Sequence, residues 1–178
     1  MILESQDSHD VRAAQAGDVD AFGELVHRHR TAVYRVALRM LGNPSDAEDA
    51  AQEAFVRAWR ALPTFRGESS VATWLYRIVV NRCLNVLRAQ EPAEPFAETL
   101  EAPASGPNHI AEVRGELEAL KLAVTRLTPE QRAPFVLREL EGLSYEEIGE
   151  VLEISLPAVK GRLHRARLEV LDAMRSWR

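Results

Sequence analysis

Residues 90–112 read QEPAEPFAETLEAPASGPNHIAE, and this stretch limits what the whole chain can fold into. It carries five glutamates (Glu91, Glu94, Glu98, Glu101 and Glu112), four prolines and no lysine or arginine. A segment this polar cannot contribute to a core, and its prolines interrupt regular structure. The stretch therefore divides the 178-residue chain. The pattern predicts two small domains, residues 1–89 and residues 113–178, joined by a flexible acidic linker over 90–112.

Both flanks read as helix, so the fold class expected is all-α. From Val19 to Leu41, apolar residues recur at Phe22, Leu25, Val26, Val33, Val36, Ala37, Met40 and Leu41, a stripe with period near 3.6. Gly42-Asn43-Pro44 stops it, and Ser45 is the expected N-cap of a helix over 46–62. PTFRGESS reads as a loop, followed by a helix over 70–88 with Trp74 and Ile78 turned to the core. A shorter helix is expected over 10–16. In the second half, Leu117, Leu120, Val124 and Leu127 form a stripe. Thr128-Pro129-Glu130-Gln131 and Ser144-Tyr145-Glu146-Glu147 are capping boxes that open two further helices. Pro134 should kink the first of these modestly, and Gly142 should end it. A tight turn over 153–155 then leads into a last helix.

That last helix opens with SLPAVKGRLHRAR, four cations and no carboxylate, in a chain of formal net charge -5. Two short helices joined by about three residues make a helix-turn-helix. Ile148, Leu152, Ile154, Val159 and Leu163 would form its shared core, with Gly149 allowing close approach. Lys160, His164, Arg165 and Arg167 fall on one exposed side at spacings of three, four or seven. Such a helix fits the DNA major groove, where Lys and Arg bond guanine edges and others neutralise phosphates. The alternative is a merely solvated basic face.

SDAEDAAQEAFVRAW places Asp46, Glu48, Asp49, Gln52 and Glu53 early on a helix. Carboxylates there suit the helix dipole. A divalent ion held at i, i+3 and i+7 is the weaker reading, because no histidine motif accompanies it. Next, Arg57, Arg60, Arg66, Arg77, Arg82 and Arg88 face Glu68 alone, with Phe65, Trp74 and Tyr76 interleaved. Cations and aromatics beside a Gly/Ser loop suit single-stranded nucleic acid, and Ser69, Ser70 and Asn81 could hold a flipped base.

Catalysis is not expected. No Ser-His-Asp arrangement, Gly-rich phosphate loop or metal-spaced Cys/His set is present, and His27 and His29 point apart on a helix. The reading assigns no catalytic residue, no metal and no cofactor. Cys83 is the lone cysteine, so no internal disulfide can form, and a small packed hydrophobe is the ordinary role for it. MILESQDSHD has neither a basic n-region nor an apolar core, and no apolar run approaches a membrane span. The expectation is a cytoplasmic protein with no signal peptide and no membrane insertion.

Taken in order, DAEDAAQEAF, FRGESSVATWLYRIVVNR and LSYEEIGEVLEISLPAVKGRLHRAR resemble conserved regions 2.2, 2.3–2.4 and 4.2 of an extracytoplasmic-function (group 4) sigma factor of bacterial RNA polymerase. The resemblance spans residues 10–88 and 117–174. It implies an alternative sigma factor, not an enzyme, that recognises −35 and −10 promoter elements and aids melting. It implies that Asp46, Asp49, Gln52, Glu53 and Phe55 dock on the β' clamp helices of core RNA polymerase, whose β subunit is a further partner. Phe65, Arg66, Ser69, Ser70, Arg77, Asn81 and Asn85 would handle the single-stranded −10 element. Lys160, His164 and Arg165 would read the double-stranded −35 element, with Arg162 and Arg167 on phosphates. The linker would thread the RNA exit path, and an anti-sigma factor would hold the protein inactive. Three positions depart from the pattern: Glu153 replaces a common Gly in the turn, Ala158 a common Thr, and Gly161 a common Ser. The competing reading is a stand-alone helix-turn-helix regulator. An acidic chain with one short basic helix neutralises few phosphates alone, which favours binding through a large partner.

Overall fold

The computed structural model describes residues 2–90 and 109–177. Every regular element among them is helical. The first domain comprises α1 (Ile2–Gln15), α2 (Val19–Leu41), α3 (Pro44–Ala61) and α4 (Val71–Gln90), with a 3-10 turn at Leu62–Thr64. Each boundary has a local cause. Asp18 caps α2 by accepting from the Asp20 and Ala21 amides. Gly42, at φ 74°, closes it in the left-handed conformation. Asn43, not Ser45, caps α3: its Oδ1 accepts from Ser45 N and Asp46 N, and Pro44 sits at N1, where its missing N–H costs nothing.

Helix α3 buries a face of small residues, Ala47, Ala50, Ala51, Ala54 and Ala58, so α2 and α4 approach it closely. Val36, Ala37, Met40, Val79, Val80 and Cys83 fill the space between. Helix α1 starts well before the expected residue 10. Its added turns are tied down by Arg28, which pairs with Asp7 and with Asp10 at 2.8 Å, and by His29, 2.9 Å from Asp7.

The second domain comprises α5 (His109–Arg126), α6 (Pro129–Phe135), a π-helical turn (Val136–Leu140), α7 (Tyr145–Leu152) and α8 (Leu156–Trp177). Both capping boxes form. Thr128 N donates to Gln131 Oε1 at 3.1 Å, and Ser144 N to Glu147 Oε2 at 2.7 Å. The expected kink at Pro134 takes a specific form: the helix widens into the π turn directly beyond it. Helix α5 begins four residues before the expected domain start at 113. The rest of the expected linker, residues 91–108, lies outside the described residues.

The two domains are not separate bodies. Helices α6 and α7 pack on α4, and α5 and the π turn reach α2. Glu141, whose side chain is 1% exposed, lies between Arg35 and Arg39 of α2. Arg35 grips it with two nitrogens, Nε at 3.1 Å and Nη2 at 2.6 Å, and this pairing holds the Arg35 pKa above its ordinary value. Arg39 contacts the same carboxylate and donates to Leu140 O at 2.6 Å. Tyr76 borders the group, and burial pushes its phenol pKa up. Arg132, itself buried, donates to Met40 O across the domain boundary at 2.7 Å.

Candidate nucleic-acid interface

Helix α8 is the second helix of the helix-turn-helix. Ile148, Val151, Val159 and Leu163 are fully buried and hold it against α7. Gly149 allows a close approach here: a Cβ on it would meet Ile154 O at 3.1 Å, tighter than ordinary contact. Glu153 makes the turn in the left-handed region, at φ 55°, the one positive-φ residue other than glycine among the described residues. Lys160, His164 and Arg165 are exposed and engage no group of the described chain. Arg162 is half-buried and equally unengaged. Arg167, unlike these four, is engaged within the chain. Its Nε and Nη2 grip Glu139 at 3.0 and 2.6 Å, which ties α8 to the π turn. That carboxylate first, and then the Tyr145 hydroxyl, raise the Arg167 pKa.

The second basic region forms a cleft of 660 Å³ lined by Phe65, Arg66, Ser69, Thr73, Trp74 and Arg77, together with Glu150 from α7. Phe65 stacks on buried Trp74 at 4.6 Å between ring centroids. Gln15 fixes the backbone that leads into the loop, donating to Leu62 O at 2.9 Å and Phe65 O at 2.8 Å. Ser70 caps α4: its Oγ accepts from Thr73 N at 3.1 Å and bonds Thr73 Oγ1. Arg66 is largely in solvent, 4.0 Å from Glu68 Oε1, and Ser69 is half-buried. Arg77, Asn81 and Asn85 continue along one side of α4, the two asparagines exposed. The structure thus brings four of the seven expected residues, Phe65, Arg66, Ser69 and Arg77, to one cleft, with Ser70 capping the adjoining helix and Asn81 and Asn85 further along it.

The acidic helix α3 divides differently from its sequence pattern. Asp49 and Gln52 are exposed, and Asp46 is half-buried at the N-terminus. Glu53 ion-pairs with Arg82 of α4 and with Arg57 at 2.5 Å, so it joins two helices. Phe55 is half-buried against the core. Val56, and Trp59, which the apolar pattern would place on the inner face, are the exposed apolar residues of α3, following Asp49 and Gln52 at helical spacing. Trp59 is held by Phe22 at 4.9 Å. The spacing of Val56 from Asp49 and Gln52 is the signal that could have found it on the outer face.

Among the described residues no group of His, Cys, Asp or Glu could hold a metal ion. None of their helices is long and apolar enough to cross a membrane.

Residues 25–92 match the family model of Sigma-70 region 2, and residues 117–170 match Sigma-70, region 4. The chain is 35% identical over 184 residues to an RNA polymerase sigma-H factor of Pseudomonas aeruginosa, covering 97% of this chain and 95% of the relative. It is 37% identical over 175 residues to the ECF RNA polymerase sigma-E factor of Escherichia coli K12, covering 91% and 90%. Among solved structures, CnrH in complex with the cytosolic domain of CnrY superposes with a TM-score of 0.73 at 28% identity, covering 96% of this chain and 98% of that one. The sigma factor RpoE of Bartonella quintana, solved with the anti-sigma factor NepR, shares the fold at a TM-score of 0.63 and 20% identity, over 86% and 96% of the two chains. Two region models in the expected order, and relatives aligned along nearly their whole length, establish that the chain belongs to the sigma-70 family as an ECF RNA polymerase sigma factor, an alternative sigma factor that directs transcription initiation.

Proposed function

We propose that this sigma factor divides its work among three surfaces. Helix α8 reads the −35 element: Lys160, His164 and Arg165 face base edges in the major groove, and Arg162 neutralises a phosphate. The cleft around Phe65, Arg66, Ser69 and Arg77, with Asn81 and Asn85 beyond it, takes the single-stranded −10 element. Arginines hold its backbone and polar loop groups hold a flipped base. Asp46, Asp49 and Gln52 of α3 dock on core polymerase, with Val56 and Trp59 adding the apolar contact such an interface needs at its centre. Arg167 and Ser70 serve these surfaces by bracing them, through Glu139 and Thr73.

The observation that carries this reading is the set of cations on α8 that are exposed and unengaged by the rest of the chain. Arg28, Arg35, Arg57 and Arg82 are by contrast engaged in ion pairs. The protein works as a polymerase subunit with no catalytic step of its own, in the cytoplasm, and an anti-sigma factor regulates it, as its solved relative with NepR suggests.

Run-off transcription from a randomised promoter library tests the division. Core polymerase loaded with this chain should select two sequence blocks. Lys160→Ala or Arg165→Ala should relax only the upstream block, and Arg77→Ala only the downstream one. Tight, sequence-specific promoter binding by the chain without core polymerase would instead identify a stand-alone regulator.

A further inference from the structure

Helix α8 exposes Lys160, His164 and Arg165 on one side and packs on the other through Val159, Leu163, Ala166 and Val170. Apolar burial is non-directional, so this seam holds α8 against its neighbours without fixing its roll about its own axis. Roll matters to a helix that reads bases. At the outer helix radius of about 5–6 Å, a roll of about 20° moves a side chain by about 2 Å. A shift of that size carries a donor out of hydrogen-bond range of a base edge.

Two polar ties supply the missing constraint. Arg167 Nε and Nη2 donate to Glu139 of the π turn at 3.0 and 2.6 Å. Glu169 Oε1 accepts from Gln131 Nε2 of α6 at 2.5 Å. At about 100° per residue, Arg167 and Glu169 flank the buried line of Ala166 and Val170, one on each side. A roll in either direction therefore stretches one of the two ties.

Both ties are themselves held in place. Gln131 is buried, and its Oε1 accepts from Thr128 N at 3.1 Å and Thr128 Oγ1 at 2.8 Å, which aims the amide nitrogen at Glu169. Arg167 has a second partner in the Tyr145 hydroxyl. Arg138 lies over the Tyr145 ring, 5.0 Å from its centroid, and donates to Leu143 O at 2.6 Å. Exposed ion pairs add little to stability, so what the Arg167–Glu139 pair contributes is chiefly direction.

We infer that Glu139 and Gln131, acting through Arg167 and Glu169, are positioning residues for −35 recognition: they fix the rotational phase of α8 and so hold Lys160, His164 and Arg165 against the base edges. This rests on the assignment of α8 to the −35 element.

The test uses core polymerase loaded with the chain and the randomised promoter library. Glu139→Ala with Arg167→Ala cuts one tie at no change in net charge. Preference at the upstream positions should fall about five-fold or more, the lower end of what a good base contact contributes, while the downstream block stays as in the parent. Glu139→Arg with Arg167→Glu rebuilds the pair with its charges exchanged and should restore the preference. Glu169→Ala cuts the other tie at an exposed position and should relax the same upstream positions; it carries the test if the double alanine variant loses its helicity. A merely structural role would lower the urea midpoint and leave base preference in place, and that result overturns the proposal. So does an intact upstream block with a salt slope lower by about one in holoenzyme titrations, which would make Arg167 a phosphate contact. Lys160→Ala checks the underlying assignment. If it leaves the upstream block intact, the assignment of α8 to the −35 element fails. If it relaxes that block and neither tie variant does, only the positioning role fails.

Discussion

Arg132 offers a quantitative test of how the second domain is held together. Its guanidinium is buried, no carboxylate pairs with it, and burial pushes its pKa down. Three carbonyls receive it instead: Met40 O at 2.7 Å, Leu127 O at 3.1 Å and Thr125 O. Met40 lies in the last turn of α2, and Thr125 and Leu127 flank the end of α5. Carbonyls at helix ends have no partner within the helix, so one cation completes the C-termini of two helices from different domains. Replacing it with methionine keeps the volume and removes the donors. Three buried acceptors left bare cost about 1 kcal/mol each at the low end of the range, and the lost dipole interaction about 1 kcal/mol more. Relief of guanidinium desolvation offsets about 2 kcal/mol of this. Arg132→Met should therefore destabilise by about 2 kcal/mol. Arg132→Ala, which also empties the space of the stem, should cost about 4 kcal/mol. Urea unfolding followed by circular dichroism reads both as a lower midpoint at constant slope. An Arg132→Met protein as stable as the parent would refute the reasoning, because it would mean that desolvation outweighs all three bonds.

Other outcomes follow from the same structure. Asp49→Lys with Gln52→Lys should weaken association with core polymerase about ten-fold or more while helicity is retained, as expected when central interface groups are lost. Glu53 is unsuited to that test because its removal also frees Arg57 and Arg82. In holoenzyme promoter-binding titrations, Arg165→Ala should cost about 1–3 kcal/mol in discrimination at one upstream base, and Arg162→Ala should lower the salt slope by about one. Burial raises the Cys83 thiol pKa from 9.0 to about 12, so the native protein should resist iodoacetamide and the unfolded chain should react. The folded pKa is the higher one, so this contribution to stability is complete below pH 9.0 and is lost as pH rises toward about 12. Glu153→Gly should raise stability by about 1 kcal/mol by relieving the left-handed backbone, measured as an increase in Tm.

Local features were legible in the sequence because their causes are local. The capping boxes at Thr128 and Ser144, the terminator Gly142 and the close approach at Gly149 all lie within a few residues of what they control. Helical period also found the inner faces of α2, α3 and α4. It did not separate half-buried from exposed neighbours: the period places both Phe55 and Trp59 on the inner face of α3, where Phe55 is half-buried but Trp59 reaches solvent beside Val56. Charge raised a further ambiguity. Glu53 and Arg167 look like surface charges in the sequence, and their partners, Arg82 and Glu139, sit 29 and 28 residues away in the chain. The packing of one domain on the other was the least legible feature. It depends on Arg35 and Arg39 meeting Glu141, a pairing across more than half the chain that no periodicity encodes.

The π turn at Val136–Leu140 has a consequence for how this chain tolerates change in length. Its bonds run from residue i to i+5, as from Glu141 N to Val136 O, where an α-helix uses i+4, and so it behaves as a helix carrying one inserted residue. One residue turns everything downstream by about 100° about the helix axis. Arg138 and Glu139 lie within that turn, and Glu141 follows it directly. Deleting one residue from the turn would restore a regular helix and swing Glu141 away from Arg35 and Arg39. Arg138 would lose its bond to Leu143 O, and Glu139 its grip on Arg167. A one-residue deletion there would leave two sound helical domains that no longer fit together. The relation between the two halves is therefore written in the phase of one helical turn.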